Sequence, residues 1–402
     1  MPMLTPYPIF DADMHFAGEG DAYLRYIDPK FRDRTIRVVR DAEGNRVQMA
    51  EDRVLQTYRP DEYSGKRTPG NLGEWLKASQ EARERGDAIA KEDDSRQNAE
   101  GEAVAEGRDD RIAQLDEQGV EACIIYGAIL TEGWLHDPDT IYASLWAWNR
   151  WCVEEWSYAY KDRVIIPAPI SLLDLDKAVE LLDYALEHGA RSIFLRPGPF
   201  GGRSPGDPHF DPFWARVNEA GLVATFHITF AGPEYHDMRS REWGQQLFES
   251  FYTQSAWQWT FCYGEQTIME TIAAIIYDNF FGRFPNIKVI TSELGCEWGP
   301  PLTIRMDKMR GMARNGPWIG GQLKERPSAI FKRHVRMQAY PQDDVVGVVE
   351  RLGPEVVLAG SDFPHAEGLA EPTEFGEQVK ELPLDQQRLI LRDNGLQMFG
   401  LA

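Results

Sequence analysis

Cysteine is scarce. Four residues, Cys123, Cys152, Cys262 and Cys296, are scattered through 402 positions with no CxxC spacing. That excludes a disulfide frame and a zinc knuckle, and it predicts free thiols in a reducing, cytoplasmic compartment. Basic charge is also short: 43 Lys and Arg stand against 64 Asp and Glu, a net charge of -21. This argues against nucleic acid or an anionic membrane surface as a partner. No apolar run reaches membrane-spanning length, and the first residues lack a basic-then-apolar signal pattern. No Gly-rich phosphate loop follows the first apolar stretch, which removes support from a dinucleotide-binding open sheet. Histidine is rare too, with eight in all and none between His236 and His334.

Against that background, the stretch Ile9-Phe10-Asp11-Ala12-Asp13-Met14-His15 stands out. Read as a strand, it alternates, with Asp11, Asp13 and His15 on one face and Phe10, Ala12 and Met14 on the other. Unpaired buried carboxylates are costly. A divalent metal or a strand-end turn would each account for them.

After a hairpin over 35–49 with a turn at Gly44-Asn45, residues 67–110 are densely charged. They read as a helical insertion, either a lid or partner arm or simply a solvated surface. From there the pattern becomes regular. Helices are expected over 111–118, 142–160, 175–188, 212–220, 266–281, 301–312 and 343–352, with more after 372. Short apolar strands lie between them, near 120–126, 164–170, 192–196, 222–228, 287–293, 334–340 and 355–362. Counting 9–15, that makes eight strand–helix units. Such alternation predicts a parallel sheet, and eight units predict a closed (β/α)8 TIM barrel, here one domain over 1–402 with the charged insertion after its first strand.

In such a barrel the active site lies at the carboxyl ends of the strands. Those ends carry Asp13 and His15, Arg196, His227, Glu293 and Asp362. Alternation groups Val223, Thr225 and His227; Val289, Thr291 and Glu293; and Leu358, Gly360 and Asp362 on inward faces. Two imidazoles with two or three carboxylates suit Zn²⁺, Mn²⁺ or Fe²⁺. Such an ion lowers the pKa of a bound water or polarises a substrate oxygen. Arg196 reads either as a bidentate clamp on a substrate carboxylate or as an ion pair to a neighbouring loop. The aromatic stretches 134–156 and 248–261 suggest an apolar pocket and a subunit interface.

Several motifs together resemble the amidohydrolase superfamily, in the amidohydrolase-related branch that includes aminocarboxymuconate-semialdehyde decarboxylase and γ-resorcylate decarboxylase. They are the opening Asp11-to-His15 motif, Arg111-Ile112-Ala113-Gln114-Leu115-Asp116-Glu117-Gln118-Gly119-Val120 and Asp211-Pro212-Phe213-Trp214. Arg283-Phe284-Pro285-Asn286, Glu293-Leu294-Gly295-Cys296-Glu297-Trp298 and Gly360-Ser361-Asp362-Phe363-Pro364-His365-Ala366-Glu367-Gly368 complete them. The resemblance implies metal ligands at Asp13, His15, His227 and Asp362. Asp362 would also orient water, and His365 would touch substrate or support the site. It implies one divalent ion, zinc foremost, and a homodimer or larger homo-oligomer acting on a small molecule. The branch's decarboxylases carry a catalytic histidine at the end of the sixth strand, where this chain has Glu293. Glu293 would then shuttle protons itself or add a ligand for a second metal, and His236 could stand in for the missing histidine or be a surface loop residue. The resemblance implies a decarboxylase of an aromatic or unsaturated acid first. A hydrolase of an amide, ester or lactone comes second, and a non-haem oxygenase or a subunit of one third.

Overall fold

The computed structural model describes residues 5–16, 21–42, 44, 46–58, 68–85, 104–105, 107–128, 131–247 and 253–402. Its strands, in chain order, are β1 (Ile9–His15), β2 (Arg37–Arg40), β3 (Arg46–Ala50), β4 (Arg53–Tyr58), β5 (Val120–Tyr126), β6 (Ala159–Tyr160) and β7 (Val164–Ile165). After these come β8 (Ala168–Pro169), β9 (Ser192–Leu195), β10 (Val223–His227), β11 (Lys288–Ser292), β12 (Val335–Gln338) and β13 (Val357–Leu358).

β1 pairs with β5, and β5 with β7, all in parallel. Residues 164–169 are continuous, so β7 and β8 act as one staggered strand. It meets β5 at its start and β9 at its end. The parallel series then runs β9, β10, β11, β12, β13. The ring closes where Met14 bridges Phe363 in parallel. Across that seam the N–H groups of Ala12, Asp362 and His15 donate to the carbonyls of Ala359, Asp13 and Phe363, each at 2.9 Å. This is the eight-stranded parallel barrel expected from the sequence.

The barrel interior is a small apolar cluster that includes Phe10, Ala12, Tyr126, Val223, Ile290 and Leu358, and Leu396 from the C-terminal helices belongs to it. Gly395 has to be glycine, since a Cβ there would come within 2.1 Å of the Phe10 ring. A larger cluster lies between the strands and the surrounding helices.

Local sequence explains the helix ends. The helix Arg108–Gln118 stops at Gly119, whose φ of 70° is the left-handed conformation that glycine tolerates. The helix expected over 142–160 starts earlier and ends sooner, at Pro138–Glu155. Asp137 caps it by accepting from Thr140 N, and Pro138 takes the first turn. The helix expected over 266–281 divides into Glu265–Tyr277 and Phe280–Arg283, broken by Asn279 at φ 51°.

Outside the barrel, β2, β3 and β4 form an antiparallel sheet, one strand more than the expected hairpin. Gly44 lies at φ 88°, and Asn45 falls outside the described residues. Within the charged insertion, the described helix is Leu72–Arg85. Its entry is tied to the β13 loop, with Gly70 N and Leu72 N donating to His365 O and Ala366 O. No described helix is long and apolar enough to cross a membrane.

Candidate metal centre

Two of the expected inward faces do not follow from simple alternation. Phe10 and Ala12 belong to the barrel interior, whereas Met14 packs in the outer cluster. The register of β1 slips between Asp11 and Met14. The slip changes the phase of the strand, so that Asp13 and His15 reach the interior mouth and Asp11 does not. Asp11 Oδ1 instead accepts from Asp13 N and Ser361 N, each at 3.0 Å. Likewise Ile290, not Val289, lies in the interior. Strict alternation would turn Glu293 outward, and its φ of 50° redirects it. Asp362, following β13, also has a left-handed backbone, at φ 56°.

The result is a convergence of side chains at the carboxyl ends of β1, β10, β11 and β13. His227 Nε2 lies 3.3 Å from Asp13 Oδ1 and 3.2 Å from Glu293 Oε2. His15 Nε2 lies 3.5 Å from Asp13 Oδ1, 3.7 Å from Glu293 Oε2 and 3.1 Å from Asp362 Oδ1. His365 Nδ1 is 2.6 Å from Asp362 Oδ1, and its ring stacks on His15 at 4.1 Å. Asp13, His15, His227 and Asp362 are buried, while Glu293 and His365 keep 17% and 30% of their side chains exposed.

This donor set fits a divalent cation. Both oxygens of Asp13 and the Nε2 atoms of His15 and His227 are buried without hydrogen-bond partners. His227 Nδ1 lies 3.1 Å from Ile228 O, and a carbonyl only accepts, so Nδ1 carries the proton. The Nε2 lone pair is therefore free to face the cluster. Ligands bound at about 2.0–2.2 Å to one ion lie no more than roughly 4.4 Å apart. Asp13, His15, His227 and Glu293 each offer one ligand atom within 4.8 Å of the others, as do His15, Glu293, Asp362 and His365, so the two groups share His15 and Glu293. The local field also calls for positive charge. Burial alone would lower the pKa of His15, but Asp13 and Asp362 outweigh it and push it up to about 10. Burial would raise Asp362 and Asp13, yet His365 and His15 hold Asp362 well below the usual carboxylate range, and His15 and His227 do the same for Asp13.

Two residues expected to touch substrate are held in other contacts. Arg196 is buried, its Nε donates to Glu132 Oε2 at 3.0 Å, and its Nη1 donates to Ala231 O at 2.7 Å. Its guanidinium lies over the Phe200 ring, 4.0 Å from the centroid. With Nε and Nη1 engaged in this way, the ion-pair reading of Arg196 is the one its contacts support. His236 is neither a surface residue nor part of the ligand cluster. It is buried on the helix Pro233–Glu242, with its ring edge-on to Phe230 at 5.6 Å. Burial lowers its pKa to about 4.

Two residues not singled out from the sequence matter here. Gln338 Oε1 accepts from Glu293 N at 2.6 Å, and Tyr340 Oη donates to Glu293 O at 2.6 Å. Gln338 carried the same signal as the other candidates, a polar residue ending an apolar strand.

Residues 102–401 match the amidohydrolase family profile. The chain belongs to the amidohydrolase family, and it is a metal-dependent enzyme. No curated protein matches it in sequence. Among solved structures it is similar to an amidohydrolase from Mycobacterium avium subsp. paratuberculosis K-10, with 27% identity over 99% of each chain and a TM-score of 0.78. It is also similar to 5-carboxyvanillate decarboxylase from Novosphingobium aromaticivorans DSM 12444, solved with manganese and 4-hydroxy-3-methoxy-5-nitrobenzoic acid. That match has 15% identity over 98% of this chain and 97% of the other, with a TM-score of 0.63. A dihydroxybenzoic acid decarboxylase from Polaromonas sp. JS666, with manganese and 2-nitroresorcinol, matches at 14% identity over 80% and 93%, with a TM-score of 0.60. The two decarboxylase matches establish the shared fold alone.

Proposed function

We propose that this enzyme is a carboxy-lyase that removes CO₂ from an aromatic or unsaturated carboxylic acid. The observation that carries this reading is the division of the cluster into buried donors and two groups open to the mouth. Asp13, His15, His227 and Asp362 would hold one divalent ion, zinc foremost, with Mn²⁺ and Fe²⁺ suited to the same donors. Glu293, whose ligand atom lies within 4.8 Å of those of Asp13, His15 and His227, would stand close enough to join them. When bound, that ion supplies a Lewis-acid anchor for a substrate carboxylate and an adjacent oxygen. His365 and Glu293 border the open side. His365 is oriented by Asp362, and either group could deliver a proton to the carbon that gives up CO₂. The breaking C–C bond leaves its electron pair on that carbon, and the delivered proton restores the product C–H bond. The decarboxylases among the structural matches support this choice of reaction.

Glu293 itself favours a second reading. A hydrolase needs no histidine at the end of β11, and Asp362 could accept the proton from an attacking water. The test is a screen of Zn²⁺- and Mn²⁺-loaded enzyme for CO₂ release from hydroxybenzoates and related acids. The same preparation is assayed on esters, lactones and amides. CO₂ release supports the lyase; hydrolysis without CO₂ release overturns it.

We read residues 1–402 as one barrel domain carrying 67–110 as an insertion, in a cytoplasmic homodimer or larger assembly. The exposed ring of Trp243, 5.5 Å from Trp257, and the exposed Trp259 and Phe261 support an apolar contact surface.

A further inference from the structure

β12 contributes no side chain to the ligand cluster, yet it lies between the two strands whose ends do. Gln338 ends it, fully buried and paired with Leu358 of β13. On one side its Oε1 accepts from the backbone N–H of Glu293 at 2.6 Å. On the other its Nε2 donates to Ala339 O at 2.7 Å and to Gly360 O at 3.4 Å. The amide orientation is fixed by these partners, because an N–H needs an acceptor and a carbonyl needs a donor. The fit is close. A Cβ on Gly360 would lie 2.4 Å from Gln338 Cγ and 2.9 Å from Asp13 Cβ. Gln338 is thus wedged among the backbones that carry Glu293, Asp362 and Asp13.

Both residues it separates are in unfavourable conformations. Glu293 and Asp362 have φ of 50° and 56° with no glycine to relieve them. Without its left-handed turn, Glu293 would follow the phase of Val289 and leave the mouth. Its N–H is held by Gln338 and its carbonyl by Tyr340 Oη. Tyr340 is held in turn through its own N–H to Asp343 Oδ2 at 3.0 Å, an oxygen that also accepts from Cys296 N at 2.7 Å. A single strand end therefore supplies the bonds that keep Glu293 turned inward.

We propose that Gln338 is the positioning residue of the metal centre: it sets where the Glu293 and Asp362 carboxylates stand relative to Asp13, and so tunes cation affinity without touching the cation. This rests on the metal-site reading given above, and it does not depend on which reaction the enzyme performs. Glutamate is no substitute at this position. It would still accept from Glu293 N, but it could not donate to Ala339 O, and it would add negative charge beside Asp13.

The experiment is Mn²⁺ titration of metal-stripped wild type, Q338L, Q338E and Y340F by calorimetry, with Mn²⁺ electron paramagnetic resonance of each bound form. Supporting residues of this kind change metal affinity by about 10- to 100-fold. Q338L should therefore bind Mn²⁺ at least about tenfold more weakly with an altered line shape, and Q338E, whose added charge by itself favours a cation, should alter the line shape; both should retain a cooperative thermal transition. Y340F should shift in the same direction by less. Wild-type affinity and spectrum in a folded Q338L overturn the proposal. If Q338L does not fold, the line shape of the near-isosteric Q338E decides, and Y340F does so if neither folds; a wild-type spectrum in the deciding variant overturns it. Wild type that takes up no Mn²⁺ refutes the metal site itself. Wild type that binds Mn²⁺ but releases no CO₂ refutes only the lyase.

Discussion

The carboxylate of Asp11 joins Ser361 across 350 residues of sequence: Oδ1 accepts the Ser361 N–H at 3.0 Å while also accepting from Asp13 N. One oxygen thus fastens the first strand to the loop that carries Asp362. Asparagine keeps an acceptor in the same place, and its amide would fill the position of Oδ2, which has no hydrogen-bond partner. Asp11→Asn should therefore change unfolding free energy by less than about 1 kcal/mol. Asp11→Ala strands two buried N–H groups and should cost about 2 kcal/mol or more. Urea denaturation of both variants checks this, and equal losses would refute the assigned role.

His227→Ala and His15→Ala remove donors with no structural hydrogen bond at Nε2. Each should lose stoichiometric metal by elemental analysis while the barrel still unfolds cooperatively. Chelation should lower the Tm of wild type, since a ligand at 100 times its Kd stabilises by about 2.7 kcal/mol. The same treatment should hardly move either variant. Normal metal content in both would remove the two histidines from the site.

The Glu132–Arg196 pair should prove structural. Truncating one partner of a buried pair leaves the other charge uncompensated, at about 3–5 kcal/mol. Glu132→Ala should show a loss of that order by urea denaturation. The double variant E132L/R196M should recover most of it and keep wild-type Mn²⁺ affinity. A double variant as unstable as the single would contradict this.

Stability should fall in mild acid through His334. Its Nδ1 donates to Ile287 O at 2.9 Å, its Nε2 accepts from Arg333 Nε at 3.1 Å, and its ring stacks on Phe281 at 4.2 Å. Both nitrogens are satisfied in the neutral form. Burial lowers its pKa to about 4, against about 6.5 in an unfolded chain. Between those values the unfolded state takes up a proton that the folded state refuses. The contribution is therefore whole above pH 6.5 and is lost as pH falls toward 4. His236, also lowered to about 4, adds to the same slope. His334→Phe should flatten the decline between pH 6.5 and 4 in urea-unfolding series; an unchanged slope would show that His334 is not its source.

Much of this architecture is legible in the residues. The eight strand positions and the helix stop at Gly119 follow from periodicity, and the gathering of Asp13, His15, His227, Glu293 and Asp362 at one mouth follows from strand-end polarity. What periodicity missed has a physical cause in each case. The slip in β1 and the left-handed turn at Glu293 are set by contacts with neighbouring strands, so the period of two that orients Val223 and His227 misassigns Asp11 and Val289. Arg196 offers a substrate-binding group in sequence, but its partner Glu132 lies 64 residues away and becomes visible only in the fold. The third outer strand, β4, pairs with β3 around a register irregularity that a simple hairpin pattern does not reveal.

The seam between β1 and the loop after β13 also bears on the order of events during folding. Asp13 stands on one side of it and Asp362 on the other, far apart in the sequence. Contacts this distant in sequence form late, because closing so long a loop costs entropy before any contact repays it. A folding chain thus holds Asp13 and His15 without Asp362 until the seam closes. Capture of an ion at the proposed centre would then mark that closure.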